Sequence, residues 1–386
     1  MTTTTTLRHS ANGSVPAGAP GAPGATGDAT AIGNATATGH GTAAGSGTAP
    51  APARPAAGTQ RLTLAKAITL GLGAALEADP RVLLMGEDIG RLGGVFRVTD
   101  GLQAEFGPDR VVDTPLAESG IVGTAIGLAM RGYRPVCEIQ FDGFVFPAFD
   151  QITTQLAKMH YRTRGKLSLP VVIRIPYGGG IGAVEHHSES PEVLFGHTAG
   201  LRVVSPATPA DAFTMIQEAI ASPDPVLFFE PKGRYWDKGD VDLDVPYGAP
   251  GTGLDHARVV RPGRDATVVA YGPTVHTALK AADAAAAEGR SLEVVDLRTI
   301  SPLDTDTVAE SVRRTGRCIV VHEAPVQYGT GAEVAARITE ACFYHLQAPV
   351  LRVGGFHTPY PVARLEHEYL PSVDRILDAL DRAIAF

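Results

Sequence analysis

The sequence predicts an α/β protein of two domains built on parallel sheets, preceded by a disordered N-terminal tail. Three observations predict it. Apolar, strand-like runs alternate with helix-period segments in two separate sets, a Pro-, Gly- and Asp-rich stretch divides the sets, and residues 1–60 differ in composition from everything after them. The 386 residues suffice for two cores at ~100–200 residues per domain.

The tail is dominated by Ala, Gly, Thr and Pro and holds three charged side chains, Arg8, Asp28 and Arg54. Such a segment cannot bury enough apolar area to offset its chain entropy. It has neither the basic start and apolar run of a signal peptide nor the arginines of a mitochondrial leader.

Order is expected from Leu62. LTLAKAITLGLGAALEADP (62–80) has apolar residues at helical spacing and stops at Asp79-Pro80. VLLMGED (82–88) reads as a buried strand. Strand 110–115, helix 120–130, strand 135–140, helix 147–162 and strand 169–176 follow. The second set has strand 266–272, helix 274–289, strand 292–298, helix 304–316, strand 318–324 and helix 331–346. Residues 231–255 read as a linker, which places the domains at 61–245 and 246–386 after the 1–60 tail.

A formal charge of −8 argues against nucleic acid or an anionic membrane surface as partner. Cys137, Cys318 and Cys342 are odd in number and far apart, which excludes a disulfide scaffold and a zinc ribbon and points to a reducing cytoplasm. No apolar run approaches the ~18 residues of a membrane span.

Four places could carry chemistry. Glu118, in LAESGIVG (116–123), falls where a strand gives way to a helix. It is either an acid suited to a helix N-terminus or a ligand contact at the carboxyl end of a parallel strand. GGGIGAVEHHSESPE (178–192) places Glu185, His186, His187, Ser188 and Glu189 on a loop after a strand. It reads as a polar surface loop or a functional one, and it lacks the His spacing of a metal site. Phe141, Phe144, Phe146 and Phe149 crowd EIQFDGFVFPAFDQI (138–152), as core or as a face for a planar ligand. GLGAA (71–75) imitates a dinucleotide loop but lies inside a predicted helix. The sequence has no P-loop, no nucleophile elbow and no Gly-x-Gly-x-x-Gly between strand and helix.

Read together, the motifs resemble a known family, the beta chain of the thiamine-diphosphate-dependent decarboxylase component of 2-oxoacid dehydrogenase complexes. They are MGED (85–88), GGVFR (93–97), DTPLAESGIVG (113–123), EIQF (138–141), FPAFDQI (146–152) and HHSESPE (186–192). VVSPATPADA (203–212), FFEPK (228–232), VVDLRTISPLD (294–304) and VHEAP (321–325) continue the series to the C-terminal region. The resemblance covers everything after the tail. It implies an N-terminal pyrimidine-binding domain and a C-terminal transketolase-like domain. It also implies an α₂β₂ heterotetramer, with thiamine diphosphate between an alpha and a beta chain. The alpha chain would hold the diphosphate and Mg²⁺ through a Gly-Asp-Gly motif, which does not occur in this sequence.

By the same resemblance, Glu118 would bond a ring nitrogen of the aminopyrimidine and assist proton transfer there. His187 would serve proton transfer or orientation as the lipoyl group is acylated, with His186 in support. Gln140 and Phe144 would line the aminopyrimidine pocket. Some relatives carry tyrosine at the Phe144 position, so this chain keeps the apolar face and loses the hydroxyl. No metal ligand is implied among its side chains. A structural K⁺ on backbone carbonyls near strand 169–176 and the turn 219–224 is known in relatives. The dihydrolipoyl acyltransferase core with its lipoyl domain would be the further partner. GAVEHHSESPE and GRYWDKGDVD look more like enzymes for branched-chain oxoacids such as 3-methyl-2-oxobutanoate, with pyruvate the alternative. A self-sufficient nicotinamide dehydrogenase would need the missing dinucleotide loop. A non-catalytic scaffold chain would have no need of Glu118.

Overall fold

The computed structural model describes residues 58–249 and 253–386, so the expected tail lies outside the described residues up to position 57. Gly58 to Gln60, counted with the tail above, are ordered. Strand β1 (Thr59–Thr63) runs straight into the helix Leu64–Ala78, where the Thr63 side chain accepts from Lys66 N at 3.2 Å as an N-cap. After β2 (Val82–Gly86) and β3 (Val111–Asp113) comes the helix Glu118–Met130, followed by β4 (Arg134–Glu138), β5 (Val172–Tyr177) and β6 (Arg202–Val204). The helix Pro209–Ala221, β7 (Val226–Pro231) and β8 (Lys238–Asp242) follow. β8 pairs antiparallel with β1, so part of the expected linker is a strand.

The second half holds β9 (Arg258–Arg261), β10 (Ala266–Ala270), the helix Thr274–Ala287, β11 (Leu292–Asp296) and β12 (Thr299–Ser301). It ends with the helix Thr305–Thr315, β13 (Cys318–Pro325), the helix Thr330–Cys342, β14 (Leu351–Gly355) and the helix Val373–Ile384. Two main sheets result, of order β12-β6-β7-β5-β4-β2-β3 and β14-β13-β10-β11-β9. Pairing is parallel throughout except for β12 on β6 and β9 on β11. The first sheet thus takes its last edge strand from the second half of the chain.

Period-two alternation divides the first core. Val82, Leu84, Val136 and Val172 face the helices Leu64–Ala78 and Pro209–Ala221. Leu83, Met85, Cys137 and Ile173 face the helix Glu118–Met130 and the segment 145–157. The GLGAA imitation is explained by the first of these layers. A Cβ on Gly71 would lie 2.4 Å from Ile216 Cγ2 and 2.9 Å from Phe213 O, so glycine is required where the two helices cross. The other layer runs through Tyr177 and Phe229 to Tyr271, Val295 and Val320, so the halves share a core.

One expected helix is irregular. Residues Asp142–Ala148 form tight 3₁₀ turns containing Pro147, Gln151–Leu156 is a wider π-helical turn, and only Ala157–Arg162 is α-helical. Pro147 has no N–H to donate, which breaks the regular ladder at this point. Among the described residues no helix is long and apolar enough to cross a membrane.

Candidate functional site

Neighbouring parallel strands β5, β4, β2 and β3 all end at one edge of the first sheet, where ligands of open α/β sheets bind. Each strand delivers one part of the site. β3 leads to Glu118, β2 to Glu87 and Asp88, β4 to Gln140 and Phe141, and β5 to the loop that carries His187.

Glu118 begins its helix beside Ala117, an N-cap without a side-chain cap, and is 9% exposed. The dipole of the first turn favours its negative charge. Its neighbour is Glu87. Burial pushes the Glu87 carboxyl above the usual range, and the charges of Glu118 and Asp88 add to that rise. Glu87 Oε1 is buried with no hydrogen-bond partner. Gln140 joins the same group, its amide donating to Glu87 O at 3.3 Å and to Asp88 Oδ2 at 3.4 Å.

The aromatic cluster divides between the two readings open to it. Phe149 packs on Phe195 in the core. Phe141 and Phe144 meet each other edge-on at 5.7 Å and contact the His187 ring at 4.2 and 5.3 Å. Phe96, from GGVFR, adds a further edge at 5.4 Å from Phe141. Burial holds the His187 imidazole below its ordinary value, with Lys232 and His186 acting in the same direction. His186 points away, exposed, toward Glu185 at 3.5 Å.

Two features escape a sequence reading. Asp142 and Lys232, both buried, form an ion pair at 2.8 Å beneath the His187 loop. Behind it, Arg174 on β5 donates to Glu138 on β4 at 2.6 Å and to Glu230 on β7 at 2.6 and 2.9 Å, and Tyr235 Oη completes Glu230 at 2.5 Å. An acid and an arginine at facing register positions of β4 and β5, Glu138 and Arg174, were the available signal, whereas Glu230 stands opposite Pro176 and is met only because the guanidinium reaches along the sheet. The four predicted residues thus form two pairs, Glu118 with Gln140 through Glu87 and Phe144 with His187 through Phe141, linked by the adjacency of Gln140 and Phe141 at the end of β4. The arrangement offers buried carboxylates at the same sheet edge as an apolar aromatic wall and an imidazole whose charged form is disfavoured by burial. That suits a heteroaromatic ligand whose ring nitrogen exchanges a proton.

The turn after the helix Pro209–Ala221 is tied by a different cation. Arg134 Nη1 donates to Ile220 O at 2.8 Å and to Ser222 O at 3.1 Å, and Ser222 Oγ donates to Asp224 O at 3.2 Å.

Comparison with known proteins follows the same division of the chain. Residues 60–237 match the family model "Transketolase, pyrimidine binding domain" and residues 255–376 match "Transketolase, C-terminal domain". The chain is 63% identical over 338 residues, covering 87% of it and 99% of the relative, to a pyruvate dehydrogenase E1 component subunit beta of Leifsonia xyli subsp. xyli. It is 56% identical over 327 residues, covering 84% and 93%, to the 3-methyl-2-oxobutanoate dehydrogenase subunit beta of Mycobacterium tuberculosis. A 2-oxoisovalerate dehydrogenase subunit beta of Pseudomonas aeruginosa is 42% identical, over 84% of this chain and 95% of its own. Among solved structures, a split-gene transketolase described as an inactive beta4 tetramer superposes with a TM-score of 0.68 at 24% identity. It covers 84% of this chain and 98% of its own, a likeness of fold.

Proposed function

The chain belongs to the family of 2-oxoacid dehydrogenase beta subunits, and from that premise we propose that it supplies the pyrimidine half of a thiamine diphosphate site shared with an alpha chain. The observation that carries the proposal is Glu118, a buried acid at a strand end beside Glu87 with its unpartnered Oε1. Thiamine diphosphate, when bound, supplies the electron sink that lets a 2-oxoacid lose CO₂. Glu118 holds the proton shared with the aminopyrimidine ring nitrogen. Gln140 and Phe144 orient that ring, and the phenylalanines exclude water from it. His187 would hold or move a proton at its imidazole when the lipoyl group of a dihydrolipoyl acyltransferase is acylated. The diphosphate and Mg²⁺ would be held by the alpha chain of an α₂β₂ assembly, a reading that the lack of a Gly-Asp-Gly motif in this sequence fits. At the turn proposed for K⁺, the Arg134 guanidinium already brings positive charge to two carbonyls, and no step depends on that ion.

For the substrate we favour branched-chain oxoacids such as 3-methyl-2-oxobutanoate, as in the names of the M. tuberculosis and P. aeruginosa relatives. Pyruvate is the second reading, favoured by the 63% identical relative. One or two methyl groups separate such substrates by only ~1–3 kcal/mol. The test is CO₂ release from each oxoacid with an artificial electron acceptor, thiamine diphosphate and Mg²⁺. The chain is assayed alone and co-expressed with an alpha chain. Activity only in the co-expressed sample supports the half-site, and the preferred oxoacid decides the substrate. Equal activity from the chain alone would overturn the two-chain reading.

A further inference from the structure

We infer that the buried Asp142–Lys232 pair is a positioning device for His187: Asp142 pins the loop that carries the histidine, and Lys232 sets a buried positive charge beneath that loop. This rests on the reading of His187 as a proton-transferring group.

The geometry joins three segments at one point. Asp142 opens the 3₁₀ turns that follow β4, Lys232 follows β7, and the loop 178–189 follows β5. Asp142 Oδ1 accepts from Lys232 Nζ at 2.8 Å, and its Oδ2 accepts from Glu189 N at 2.9 Å, two residues beyond the histidine. Gly178 N donates to Glu189 O at 3.0 Å, so the foot of the loop is held on both sides of that peptide. The fit is close. A Cβ on Gly143 would lie 2.5 Å from His186 O, so the turn bearing the histidine rests directly on the backbone after Asp142.

A buried ammonium persists only beside a counter-charge. Burial raises Asp142 to about 6, which leaves it ionised at neutral pH and able to hold Lys232 charged. A positive charge there disfavours a second one on the imidazole. The charged and titratable groups around His187 are Lys232 from β7, Asp142 from the 3₁₀ segment, and Glu185, His186 and Glu189 from its own loop. Burial lowers it first, Lys232 adds to that, and the further contribution of His186 comes from an exposed, screened group. Burial lowers the Lys232 ammonium from its ordinary value; Asp142 is the main group opposing that fall, with Glu323 and Glu366 from the second half of the chain acting in the same direction as Asp142.

The test uses the full chain co-expressed with its alpha chain and purified without cofactor. Carbethoxylation of His187 by diethyl pyrocarbonate, followed across pH 5–9 by peptide mass spectrometry, reads the neutral imidazole fraction. In Asp142→Asn/Lys232→Met both charges are gone while the Asn oxygen still accepts from Glu189 N. The midpoint should rise by ~0.5–1 pH unit. An unchanged midpoint overturns the electrostatic role. Asp142→Ala/Lys232→Met removes the anchor as well. It should share the raised midpoint but lower acyl transfer, relative to CO₂ release, by a further ~10-fold or more. Equal acyl transfer in the two double variants overturns the anchoring role. If the alanine variant does not assemble, Lys232→Arg keeps the charge and must keep the wild-type midpoint; a rise there overturns the inference. His187→Asn with normal acyl transfer would sink the role given to His187, while the midpoints would still report on the pair.

Discussion

Replacing Arg174 by methionine isolates what the buried charges of the first sheet contribute. The guanidinium is 1% exposed and makes three hydrogen bonds of 2.6, 2.6 and 2.9 Å to Glu138 and Glu230. Methionine fills much of the volume and leaves two carboxylates facing each other between β4 and β7 without a cation. Breaking such a pair from one side costs about 3–5 kcal/mol. Over a core of this size that corresponds to a fall of roughly 6–20 °C in Tm. The loss has a definite pH dependence. Burial already holds Glu138 above the usual carboxylate range, with the Arg174 charge opposing that rise. Without Arg174 its folded-state value climbs further above the unfolded one. Folding is then least penalised below the unfolded value, and the penalty grows as pH rises through the folded one. Thermal unfolding of wild type and variant at pH 5 and pH 8 should therefore show the larger deficit at pH 8. Arg174→Met/Glu138→Gln/Glu230→Gln, neutral throughout, should recover most of the loss. A deficit equal at both pH values, or no recovery in the triple variant, would refute the reasoning.

Further outcomes are expected. Glu118→Gln keeps the shape of the side chain and should cut CO₂ release by the co-expressed assembly at least ~10²-fold with little change in Tm; near-normal turnover would remove Glu118 from the mechanism. Gly71→Ala gains helix propensity but drives a methyl to 2.4 Å from Ile216, so Tm should fall by the equivalent of ~1–3 kcal/mol. A rise in Tm would show that the two helices can separate. Burial depresses His322 to about 4, with Ala324 O accepting from its Nδ1. Its stabilising contribution is present above the unfolded value near 6.5 and is lost as pH falls toward 4, about 3 kcal/mol in all. His322→Gln should flatten that acid limb in a pH series of unfolding curves, and an unchanged slope would show that other groups cause it.

β2 and β5 were legible because strands buried on both faces are dominated by apolar residues, as in VLLMG and, but for Arg174, in VIRIPY; β7 (VLFFEP) carries the same signal but was not expected in the sequence reading. β6, with three residues, gives too short a signal, and β1 and β8 (TQRLT and KGDVD) have polar patterns suited to an exposed ribbon. The helix Pro209–Ala221 was readable from Thr208 followed by Pro209, a cap and a first-turn proline, but was not expected in the sequence reading. At the site, Glu118 and the His187 loop showed themselves because each follows a strand. Phe144 stood out in its aromatic cluster, as core or as a face for a planar ligand, whereas Gln140 came from the resemblance alone. The pairing of Asp142 with Lys232 spans 90 residues, and no local pattern encodes a contact that only the neighbouring order of β4, β5 and β7 creates.

The short strand β12 has a consequence for synthesis. It seals the rim of a sheet whose other members are complete by Pro231, yet it sits near residue 300. As the chain leaves the ribosome, the open backbone groups of β6 await a partner still to be translated, and unsealed rims of this kind are where chains adhere to one another. Cutting the gene between the halves would make that interval permanent for the first piece. The two halves are separate in architecture and joined in assembly, and Thr299–Ser301 add a backbone seam to the core that the halves share.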